Sequence, residues 1–188
     1  MRVSYISYFR DIAQEEYESY LPLLAYLKQV HDPDAHFMSD EEMAASKKTK
    51  KICVKILIFL ASYLESYIWD FAATYLGEKD AERLDKLSTI DKWEIIPRLV
   101  TGKSLQLKTH QLDRFQRLIK ERNKLMHHKS IDVMPYIGKE TPVEKFPKDL
   151  IDIWQRLDMT EFIEATDYVV KELESALERA EEERRHKI

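Results

Sequence analysis

Between Ser39 and Gly77 the sequence holds one helical pattern long enough to dictate the rest of the fold. Ser39-Asp40-Glu41-Glu42 is a capping box. The Ser39 hydroxyl can accept from the third helical N–H, and the Glu42 side chain can reach back to the N-cap. The apolar and aromatic residues Ile56, Leu60, Tyr63, Leu64, Tyr67, Phe71 and Tyr75 then recur at three- and four-residue spacing. Such a pattern predicts a helix to about Leu76, with Gly77 as its C-cap. Its apolar arc is wide, so the expectation is a central helix that other helices must cover.

The remaining segments supply those helices. Residues 4–30 read as a first helix that Pro22 should kink or break, and residues 31–38 read as a connector. A short helix is expected over 79–87. Another begins at Asp91 and runs to about Gly102, with Pro97 interrupting or tightening it. Thr109 can cap a helix reaching about Lys129. Residues 130–158, with Pro135, Pro142 and Pro147, read as an ordered loop, and 159–186 as the last helix. In that last helix Phe162, Ala165, Tyr168, Val169, Leu173, Ala176 and Leu177 should face inward. No stretch alternates as a strand would. The expected fold class is all-α, an up-and-down bundle of four to five main helices. Its two parts are 1–38, a helix and connector, and 39–188, the bundle proper, together forming one compact domain.

Composition narrows the function classes. Only three glycines are present, too few for the clustered Gly loops of Rossmann or P-loop nucleotide sites. The single cysteine, Cys53, sits in an apolar stretch and reads as core. The start has no uninterrupted apolar segment of the signal-peptide kind. The longest apolar run, Ile56 to Leu64, falls far short of the ~20 residues of a membrane span. The expected location is cytoplasmic, with no membrane partner. His31 and His36 flank Asp32 and Asp34, but no further cluster completes a ligand shell, so neither a metal site nor a cofactor is expected. Trp69, Trp93 and Trp154 read as core or interface residues.

The net charge is −4, yet the charges are unevenly placed. Acids outnumber bases at both ends of the chain. Between them Lys47, Lys48, Lys50, Lys51 and Lys55 occur with no acid among them. Residues 108–129 hold Lys108, Arg114, Arg117, Lys120, Arg122, Lys124 and Lys129 against Asp113 and Glu121. Basic stretches of this kind either attract a polyanion or are simply solvated helix faces.

The helix from Thr109 to Lys129 carries the chemistry. Its apolar stripe is Leu112, Phe115, Leu118, Ile119, Leu125 and Met126, and Arg122 falls inside it. A charge on an inward face needs a partner or a polar cavity. On the central helix Glu65 breaks the apolar pattern between Leu64 and Tyr67, so Arg122 and Glu65 are expected to meet. The alternative is that both are edge residues reaching water independently. Asn123 and His127 stand four apart and share a helix face.

The segment Arg122-Asn123-Lys124-Leu125-Met126-His127 resembles the R-x(4–6)-H motif of the HEPN domain family, in which Asn often follows the Arg. The earlier apolar helix ASYLESYIWDFA and the segment DKWEIIPRLVTG are also similar to stretches of stand-alone prokaryotic HEPN proteins. The resemblance covers roughly residues 50–129 and the last helix. It implies metal-independent endoribonuclease activity: the ribose 2′-hydroxyl attacks the adjacent phosphate and leaves a 2′,3′-cyclic phosphate. His127 would serve as general base or acid. Arg122 would stabilise charge on phosphorus, and Asn123 would orient the His or the phosphate. Glu65 would support Arg122, while Arg117, Lys120, Lys124 and Lys129 would bind RNA. His128 departs from the single-His pattern and points about 100° away on a helix, which leaves an Arg122–His128 pairing open. The resemblance also implies a homodimer that brings two motifs together, and a role as a toxin or phage-defence effector, with an antitoxin or a nucleotidyltransferase as candidate partner. Two other readings stay open. One is a non-catalytic HEPN-like module that binds RNA or nucleotides. The other is a helical interaction scaffold in which the motif is accidental.

Overall fold

A computed structural model describes residues 6–30, 39–126 and 156–186. Among them every regular element is a helix and none is a strand: α1 (Ile6–Val30), α2 (Asp40–Tyr75), α3 (Glu78–Leu84), α4 (Thr89–Thr101), α5 (Thr109–Met126) and α6 (Met159–Arg185). The long helix starts as expected. Ser39 Oγ accepts from the Glu42 N–H at 3.2 Å, and Glu42 Oε2 accepts from the Ser39 N–H at 2.7 Å. Its last turn closes on Leu76, whose N–H donates to Ala72 O. Gly77 is therefore one residue beyond the cap. It takes a φ of 91°, which a side chain would resist, and so turns the chain into α3.

Helix α2 touches each of the other five described helices. One apolar core runs along it, joining Ala13, Tyr20 and Leu27 of α1, Trp93 and Ile96 of α4, Phe115 and Leu118 of α5, and Phe162, Val169 and Leu173 of α6. Helix α1 thus shares the core of the later helices. Polar ties reinforce the packing: Arg10 forks onto Asp167 of α6 through two bonds of 3.0 and 2.9 Å, and the Tyr67 hydroxyl donates to Glu174 at 2.7 Å. By length and apolarity alone α2 would suffice to cross a membrane. Its most apolar stretch has a mean hydropathy of 1.6, and 44% of that stretch is buried inside this fold. The interrupted run seen in the sequence understated that property, because the scattered polar residues dilute it little over a full window.

Several expectations need correction. Helix α1 runs through Pro22 without the break that was one of the two expected effects. A proline removes one N–H from the ladder, and here the carbonyl it leaves free belongs to Glu18, on an exposed face where water can satisfy it. Helix α4 likewise continues through Pro97, which therefore does not interrupt it. It also begins earlier than Asp91. Ser88 is its N-cap and accepts from the Asp91 N–H at 3.2 Å, while its hydroxyl donates to the Asp91 carboxylate at 2.6 Å. Asp91 is thus the acid of the first turn, which favours the positive end of the helix dipole. The short helix α3 ends at Leu84, before the expected limit. In α5 the Leu112 N–H is taken by the Lys108 carbonyl at 3.0 Å, so Thr109 is the first helical residue and not its cap. Tyr75 and Met126, placed inward by spacing, are exposed, Met126 by 58%. Both lie in the last turn described for their helices, where neighbours run out. Of the 130–158 loop, only residues 156–158 are among the described residues.

Cys53 is fully buried, as its apolar surroundings suggest. Burial pushes its thiol from an ordinary 9.0 up to about 12, and burial also raises the hydroxyls of Tyr20, Tyr63 and Tyr67, the last further held by its bond to Glu174. All these groups are neutral when folded. Once released they ionise at lower pH, so above pH 9 the unfolded chain gives up protons that the fold retains. Stability is therefore whole below pH 9 and falls as pH climbs toward 12, at up to roughly 1.4 kcal/mol per pH unit for Cys53 alone. Urea unfolding at about pH 8 and about pH 10.5 should show a lower midpoint at the higher pH. Equal midpoints would contradict the neutral, buried assignment.

Candidate active site

The site forms where α5 crosses α2. Arg122 lies just before the last turn described for α5, and its side chain is 26% exposed. Its Nη2 donates to Glu65 Oε2 at 3.2 Å. The expected pairing is present, formed by the two charged residues that interrupt the apolar stripes of their helices. Its Nη1 donates to Asn123 Oδ1 at 3.0 Å. The exposed Asn123 therefore engages the guanidinium directly. Glu65 is 39% exposed, so the pair sits at the rim of the core and not within it. A pair this open contributes little to stability, roughly 0–1 kcal/mol.

The partners of Glu65 extend the site beyond what spacing suggests. Its Oε1 faces the Thr89 hydroxyl at 3.5 Å and the Lys92 ammonium at 3.7 Å. Lys92 is only 3% exposed and is also bound by Asp85 in the turn after α3. Next to Lys92, the Trp93 indole N–H donates to Leu64 O at 3.2 Å, which fixes the α2 backbone one residue before Glu65. Sequence reading passed over Thr89, Lys92 and Asp85. The available signal was register: Lys92 shares its phase with Ile96 and Val100, four and eight residues on, which are both buried.

The neighbouring basic residues are unequally available. Lys120 is exposed. Lys124 donates to Glu121 Oε1 at 2.8 Å, and Arg117 donates to the Arg156 carbonyl at 2.9 Å, so both are engaged within the chain. Glu121 was not expected to be inward, yet it is more buried than Arg122, with a side chain 10% exposed between Lys124 and Arg156. His127, His128 and Lys129 lie outside the described residues, as do His31 and His36. Among the described residues no cluster of three or more His, Cys, Asp or Glu could hold a metal ion.

What the arrangement offers is a guanidinium held on one side by a carboxylate and an amide. Among the described residues these two bonds engage two of its five N–H groups. A planar, permanently charged donor with unused N–H groups at a partly exposed position suits a phosphate or a carboxylate. No family model matches the chain, and no curated protein and no solved structure matches it.

Proposed function

We propose that the protein is an endoribonuclease of HEPN type, folded as an up-and-down bundle, acting in the cytoplasm without a metal. The reading rests on Arg122, which stands partly exposed and held in place at the start of the R-N-x-x-x-H segment. In the reaction His127 takes the proton of a ribose 2′-hydroxyl. The 2′-oxygen bonds to phosphorus and the bond to the 5′-oxygen breaks. The products are a 2′,3′-cyclic phosphate and a 5′-hydroxyl. Arg122 stabilises the added charge on the phosphoryl oxygens. One histidine cannot serve as base and acid in the same step, so a homodimer supplies both, with the partner subunit's His127 protonating the leaving oxygen. Lys120, Lys124, Arg117 and Lys129 would track the RNA backbone. Growth arrest, as by a toxin or a phage-defence effector, is the corresponding cellular role.

A second reading has its own support. The net charge of −4 and the internal pairing of Lys124 and Arg117 weaken the attraction for a polyanion. They favour a non-catalytic HEPN-like module that holds a nucleotide or assists a nucleotidyltransferase.

The deciding experiment incubates the purified protein with total tRNA and with mixed-sequence single-stranded RNA in EDTA. The expected result is cleavage that leaves cyclic-phosphate ends and is lost in His127→Ala. Binding of RNA or of a nucleotide without cleavage selects the second reading. Equal cleavage by wild type and His127→Ala would discard the site.

A further inference from the structure

Lys92 is a buried cation that the proposed reaction does not use. Its side chain is 3% exposed on the inward face of α4, beside Trp93 and Ile96. Taking an ammonium out of water costs several kcal/mol, and well-packed apolar residues commonly do better at such positions. The charge is held by Asp85 and stands 3.7 Å from Glu65 Oε1.

That distance matters because of how the two oxygens of Glu65 are divided. Oε1 faces Lys92 and Thr89, while Oε2 accepts from Arg122. Left to themselves, an arginine and a carboxylate tend to close into a two-bond fork. A fork here would give two guanidinium N–H groups to Glu65, take Nη1 from Asn123 Oδ1 and so re-aim the rest of the group. With Oε1 occupied, Arg122 spends one bond on Glu65 and one on Asn123 Oδ1.

Resting on the ribonuclease reading of Arg122, we infer that Lys92 is a positioning residue that acts through Glu65. It restricts Glu65 to a single bond with Arg122, which leaves Nη1 on Asn123 Oδ1 and sets the direction in which the unused N–H groups face the scissile phosphate. Asp85 holds Lys92 in turn, so the turn after α3 supports a group on α5 through two intervening side chains.

The test compares wild type with Lys92→Met, Lys92→Arg, Glu65→Gln and the double variant Lys92→Met/Glu65→Gln, each shown to be folded by circular dichroism. RNA cleavage and the Arg122 side-chain N–H signals in 15N NMR are followed together. Lys92→Met should lower kcat by roughly 10- to 100-fold, by analogy with the loss of a partner that orients a metal-binding side chain, and leave KM within about twofold. Lys92→Arg, which keeps the charge beside Asp85 and Glu65, should recover most of the wild-type rate. In the Glu65→Gln background the Lys92→Met change should add little, because the two act in series. The Arg122 signals should move in Lys92→Met and hold in Lys92→Arg. Full activity in Lys92→Met, multiplied losses in the double variant, or a folded but inactive Lys92→Arg would overturn the inference. If Lys92→Met does not fold, the Lys92→Arg result decides. If the wild type cleaves no RNA, the ribonuclease reading fails, and the NMR signals alone decide whether Lys92 positions Arg122.

Discussion

Arg122→Ala is expected to leave a folded protein that cleaves RNA about a hundred- to a thousandfold more slowly than wild type. The two halves of that expectation have different origins. Losing one preorganised donor to a developing oxyanion costs roughly 2.7–4 kcal/mol of barrier, hence the rate effect. The folded state loses far less. Arg122 and Glu65 are both partly exposed, so their pairing is worth roughly 0–1 kcal/mol, and Glu65 keeps Lys92 and Thr89 when the arginine is gone. Arg122→Lys should recover little activity, because an ammonium lacks the planar fork. Initial rates and urea midpoints measured on the same preparations check this. A rate loss that follows a lowered midpoint would assign Arg122 to structure alone.

The pairing at the centre of this site was legible in the sequence for a simple reason. A charged residue within an apolar stripe is conspicuous, and two such residues on helices that must pack have few other partners. The long helix was legible because its start carries a reciprocal cap and its length carries a sustained period. Lys92 was not, because it lies between Asp91 and Trp93 in a run where acids and bases alternate. Its register with Ile96 and Val100 was the one local sign of burial, and a charged side chain at a single inward position is easily taken for one that reaches water. The beginning of α4 was misplaced because Ser88 and Asp91 are both cap-forming types, and the hydroxyl-to-carboxylate bond that ranks them is a property of the folded turn. Glu121 and Arg122 are adjacent, so spacing alone did not show that the acid would be the deeper of the two. Pro22 does not break α1 because the carbonyl it leaves without a partner belongs to Glu18, an exposed residue.

Phe115→Ala should have the opposite signature: a large loss of stability, roughly 3–5 kcal/mol, a substantial part of the 5–15 kcal/mol typical of a domain. Phe115 is fully buried on α5 and meets the Trp93 ring edge to face, with centroids 6.0 Å apart. Trp93 in turn is bonded to the α2 backbone beside Glu65. Removing the ring empties the space where α5, α4 and α2 meet, and a cavity among three rigid helices closes poorly. Urea unfolding followed by tryptophan fluorescence reads the effect. A loss below about 1.5 kcal/mol would mean that α5 can collapse onto α4 without the ring, and that the aromatic contact does not hold the helix in place.

The length of α2 has a consequence for how such a chain can change over time. Its first half is tied to α1, through Lys55 and Glu16 at 2.6 Å for example, and its second half carries Glu65 and the support of Trp93. A one-residue insertion or deletion between Lys55 and Glu65 would rotate one half against the other by about 100°. The first half could still seat against α1 while Glu65 turned away from Arg122. Substitutions along this helix can accumulate singly, but its count of residues is fixed by two sets of neighbours at once. Changes of length are left to the connections between helices, where they shift no register.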